Sequence, residues 1–122
     1  MEKHVDVMKR TIELSEGCLE ALEHITVRLN EGAFEETIRL MDDLVNGFYQ
    51  IEKSLQGFIS KLSGHQLEET MNQLRNAIEH VVSSYEQGNR GKALEGIQLN
   101  LLPSFKGLNA ELEVTFRPYI LS

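Results

Sequence analysis

Apolar side chains recur along the chain at alternating steps of three and four residues, the spacing that stacks them on one face of an α-helix. The first run is Val5, Met8, Ile12, Leu19, Leu22 and Leu29, with Cys18 and Ile25 beside it. The second is Phe34, Ile38, Met41, Val45, Phe48, Leu55, Ile59 and Leu62. A third runs Leu67, Met71, Leu74, Ile78, Val81 and Tyr85, and a fourth Leu94, Ile97, Leu101, Phe105, Leu108, Leu112 and Phe116. No comparable stretch alternates with period two, so strands are not expected. Gly32, Gly64 and Gly88 follow the first three runs, where a residue with positive φ closes a helix at no steric cost. The connections are short, which makes consecutive helices antiparallel neighbours. The pattern predicts an all-α fold, an antiparallel up-down four-helix bundle made of two hairpins. One domain covers residues 1–122.

The fourth run is the irregular one. Pro103 lies inside it, where the missing N–H leaves the Leu99 carbonyl unpaired and the ring crowds the preceding turn. Gly91, Gly96 and Gly107 weaken the same segment, at about 1 kcal/mol each relative to Ala in a helix interior. A kink or short break is expected near Pro103. Such an element either bends around the core or moves when a partner binds.

The chain also matches itself at an offset of 56. Ala21-Leu22-Glu23-His24-Ile25 falls on Ala77-Ile78-Glu79-His80-Val81, Gly32 on Gly88 and Ile38 on Leu94. Two hairpins of one length, related by a pseudo-two-fold, are the structural expectation.

Composition narrows the function classes. A net charge of −7 disfavours nucleic acid, whose phosphates demand a basic patch, and disfavours an anionic membrane surface. The longest charge-free run, Gly96–Phe105, is about half of what a membrane helix requires. The amino-terminal Met-Glu-Lys-His-Val-Asp does not read as a secretory signal. A single cysteine suits a reducing cytoplasm, the expected location.

Chemistry-bearing residues are present but poorly arranged for catalysis. His24 and His80 are the equivalent histidines of the repeat, each preceded by a glutamate. Adjacent helical residues diverge by about 100°, so neither Glu-His pair shares a ligand; bundle metal sites space Glu and His three apart. Glu13, Glu16, Glu20 and Glu23 form an acidic stripe that reads as a solvated face. Cys18 reads as a small core residue, and no serine has a nucleophile-elbow context. No catalytic, cofactor-binding or metal-ligating set is assigned.

The second run carries the most suggestive surface. Beside its main seam lies another, Leu40, Leu44, Ile51 and Phe58. Either this helix packs against both neighbours, or the extra stripe meets another chain. Pro103 in the soft fourth helix and Phe116 and Tyr119 in an apolar carboxyl-terminal stretch complete the candidate partner-binding set.

Gly17-Cys18-Leu19-Glu20, Asn30-Glu31-Gly32-Ala33-Phe34-Glu35-Glu36 and Ile51-Glu52-Lys53-Ser54-Leu55 resemble part of the flagellar export chaperone family. The resemblance implies an antiparallel helical bundle that holds the carboxyl-terminal segment of flagellin before export. Leu101-Leu102-Pro103-Ser104-Phe105 is similar to small bacterial helical-bundle proteins. The expected function is a non-enzymatic protein-binding module, export-chaperone-like or adaptor-like, whose partner is another protein or a second copy. No cofactor, nucleic acid or membrane is implied. The alternatives are a metal-dependent enzyme or regulator using the acidic stripe, and a purely structural homodimer.

Overall fold

A computed structural model describes residues 4–57, 59–61 and 66–121. Helix α1 (Val5–Asn30) is followed by α2 (Phe34–Gln56), a 3-10 turn (Ile59–Lys61) and α3 (Gln66–Glu86). The last rod is composite: α4 (Arg90–Gly96), a π-helical segment (Ile97–Leu101) and α5 (Leu102–Ile120). The described residues contain no strand, and the molecule is an all-α bundle.

Named pairs give the directions. Cys18 faces Gly47 and Arg28 reaches Glu36 at 2.6 Å, so α1 and α2 run oppositely. Phe34 and Thr37, at the start of α2, meet Tyr85 at the end of α3, while Glu52 near the end of α2 pairs with Arg75. Val81 faces Gly96 and Thr70 bonds Glu111, so α3 opposes the last rod. That rod packs on both α1 and α3; α2 touches α3 more lightly.

The two hairpin turns are the same object. Gly32 (φ 86) and Gly88 (φ 68) both take the positive φ that favours glycine. The Gly32 N–H donates to Leu29 and the Ala33 N–H to Arg28; 56 residues on, Gly88 donates to Tyr85 and Asn89 to Ser84. The expected Gly64 turn and Leu62 lie outside the described residues.

Burial corrects the sequence-read seams by a fraction of a turn. On α1 the buried set is Met8, Thr11, Ser15, Cys18, Leu22, Ile25 and Leu29, while Ile12 and Leu19 are half-buried. On α2 it is Thr37, Met41, Leu44, Phe48, Ile51 and Leu55, and Ile38 is exposed. The true seam lies between the two apolar stripes of α2, because this helix has a neighbour on each side. Leu44 and Ile51 are therefore core residues. Hydroxyls entered the α1 seam unseen: Thr11 is satisfied by donating to the Val7 carbonyl at 2.7 Å.

The repeat explains the last rod. The α1 seam from Thr11 to Leu29, moved by 56, lands on Leu67, Met71, Leu74, Ile78, Val81 and Tyr85. Thr37 and Met41 likewise land on Ala93 and Ile97. Past Ile97 the offset becomes 57: Leu44, Phe48, Ile51 and Leu55 correspond to Leu101, Phe105, Leu108 and Leu112, all buried. One residue is extra, and the π segment is where it sits. The Leu102 N–H donates to the Ile97 carbonyl, five residues back, widening one turn. From Ala93 to Phe105 is twelve residues, which in a regular α-helix leaves Phe105 about 120° off the face of Ala93. Absorbing one residue in the wide turn recovers about 100° of that. The break expected at Pro103 is thus a π turn ending just before it, with the proline in the first turn of α5, where its missing N–H is tolerated.

Candidate functional site

Of the seven residues singled out for partner binding, the fold leaves few accessible. Leu44, Ile51 and Phe116 are buried in the core. Their burial is the correction to the helix-two stripe as a surface: a chain cannot grip another with side chains already enclosed. Leu40 and Tyr119 are half-buried against the core, and Phe58 lies outside the described residues. The carboxyl-terminal stretch is not a free tail, since α5 continues to Ile120 and anchors itself through Phe116. Of the six that are described, Pro103 lies fully on the surface.

Pro103 opens onto a groove of about 650 Å³ between α3 and the last rod. Its α5 side is a stripe at helical spacing: Leu99, Pro103, Gly107, Ala110 and Val114, all exposed. The middle of the stripe is small and its two ends are large. Leu99 is 66% and Val114 68% exposed, which places two aliphatic side chains in water. The α3 side offers Gln66, Thr70 and Gln73, and Asn100 and Ser104 complete the lining. Across the groove the Thr70 hydroxyl donates to Glu111 Oε2 at 2.6 Å, joining the two walls. Among the described residues that line this groove, Glu111 is the charged one.

The π turn makes this surface. By inserting one residue it rotates the inner face of α5 into the core and, with it, turns the small-residue stripe outward. Sequence reading missed Leu99, Gly107, Ala110 and Val114, although they recur at steps of eight, three and four with Pro103 between the first two. Glycine and alanine carry little hydropathic signal, so only the flanking leucine and valine could have marked the stripe.

The other candidates have simpler surroundings. His24 and His80 are exposed, as are Glu13, Glu16, Glu20 and Glu23. Among the described residues no group of three or more His, Cys, Asp and Glu comes together as metal ligands would. Burial beside Gly47 pushes the Cys18 thiol up to about 11, the behaviour of a core thiol and not of an activated nucleophile. The Tyr85 phenol is also raised by burial, against a smaller opposing effect of its Thr37 hydrogen bond. Among the described residues no helix is long and apolar enough to cross a membrane.

Neither the curated proteins nor the solved structures contain a match to this sequence. A family model does match, over residues 6–111, a span that takes in both hairpins and most of the groove. The chain therefore belongs to the family described as a domain of unknown function, DUF8042.

Proposed function

We propose that this domain is a non-enzymatic protein-binding module that receives an apolar helical segment in the groove between α3 and α5. The observation that carries this reading is the pair Leu99 and Val114, two-thirds exposed at either end of a groove whose middle is glycine, alanine and proline. Small residues let a second backbone approach closely, and the large ends supply area to bury, the helix-in-groove mode of recognition. An adaptor or export-chaperone-like role is the class of function such a groove serves. The compartment we assign is the cytoplasm, where a lone buried thiol needs no partner.

The test uses the purified chain as bait in lysate of the source cells, beside a Leu99→Glu/Val114→Glu variant. Both substitutions sit on exposed positions, so the variant should keep its helical circular dichroism. The reading expects a protein held by the wild type and released by the variant. Identical retention by both would remove the groove as the binding surface.

A further inference from the structure

Resting on the reading of the groove as a binding surface, we infer that its occupant is the same stripe of a second copy of this chain, paired antiparallel about a two-fold axis at Gly107. The stripe is nearly symmetric about that point: Leu99 and Val114 lie eight and seven residues away, Pro103 and Ala110 four and three. Antiparallel pairing sets Leu99 of one copy beside Val114 of the other, twice, and small residue against small residue between them. That is the self-complementarity an isologous contact requires. A Cβ added at Gly107 would meet nothing within 4 Å, so the space above the glycine is open to another backbone.

Charge selects this face over the others. The chain carries −7, and two copies approaching through the acidic stripe of α1 repel. Around the α5 stripe the charges cancel: Lys106 and Arg117 against Glu111 and Glu113. The α3 residues that line the facing wall, Gln66, Thr70 and Gln73, are uncharged. An acidic chain thus has a neutral, apolar-ended strip on which it can meet itself.

Sedimentation equilibrium at tens of micromolar should return twice the 13.9 kDa chain mass. Gly107→Arg should return the mass to that of one chain with unchanged helical circular dichroism. In a separate variant, Gly107→Cys should form an intermolecular disulfide on mild oxidation, whereas Glu20→Cys on the acidic face should not. Cα atoms at a close helix crossing fall within disulfide reach, and the buried Cys18 does not compete. A wild type that sediments as a monomer overturns the inference, as does a dimer that persists in Gly107→Arg. A monomer that still retains a different protein through Leu99 and Val114 sinks the self-pairing alone and leaves the groove as a binding surface. A monomer whose lysate partners ignore those residues sinks both.

Discussion

Cys18 shows how much one side chain's surroundings decide. It lies in the α1 seam against α2, where a Cβ on Gly47 would come within 2.9 Å of its sulfur. The glycine is there because the thiol fills its space. Burial keeps that thiol protonated to about 11, against an ordinary 9.0. Between those pH values the unfolded chain releases the proton and the folded one retains it, so stability must fall as pH rises. The contribution is complete below about 9 and is lost as pH passes through about 11. Urea titrations should show wild type losing roughly 1.4 kcal/mol per pH unit more than Cys18→Ala in this window. Parallel curves for the two proteins would mean that the thiol is not held in the core as described. Burial raises the Tyr85 phenol in both proteins alike, so it cancels from the comparison.

At the scale of one element, the last rod answers two demands with one wide turn. Its apolar positions carry an extra residue relative to α2, and Pro103 cannot sit in a regular helix interior without an unpaired carbonyl behind it. The π segment absorbs the first and leaves the second in the opening turn of α5. Deleting Asn100, an exposed residue of that segment, restores the α2 spacing and forces a regular helix through the proline. The deletion should therefore destabilise by about 3 kcal/mol in chemical denaturation, and most of this should vanish when Pro103→Ala is added. Equal losses with and without the proline would show that the π turn is not what accommodates it.

For the whole molecule, the two hairpins meet at equivalent residues. Phe48 and Phe105 occupy matching places in the repeat and touch each other edge-to-face, ring centroids 6.4 Å apart at 82°. Equivalent side chains in mutual contact are what a pseudo-two-fold places at its axis. Each phenylalanine is fully enclosed, so Phe48→Ala and Phe105→Ala should each remove about 3–5 kcal/mol. Their double-mutant cycle should show a coupling of about 0.5–1.5 kcal/mol for the T-shaped pair. Strictly additive losses would place the two rings in independent parts of the core. The same symmetry sets the candidate surface apart: among the described residues the second hairpin carries the inserted residue, and its groove exposes Leu99 and Val114.

The sequence by itself determined the class of fold, because a three-four apolar rhythm interrupted by glycines is legible from one strand of text. The 56-residue self-match placed Gly32 and Gly88 at what proved to be identical turns, but it implied hairpins of one length, whereas the second carries one more residue in its π segment. Tertiary packing set the buried line of α2 between its two apolar stripes, taking Met41, Phe48 and Leu55 from one and Leu44 and Ile51 from the other. Positions one helical step apart differ by about 100°, and only the presence of a neighbour on each side of α2 selects the line through Leu44 and Ile51 over that through Ile38. It also decided the form of the break at Pro103, because a kink and a π turn satisfy the same proline and differ only in whether the downstream face must be rotated back onto the core. The candidate site follows from that rotation, and so it was hidden in the sequence until the last helix had something to pack against.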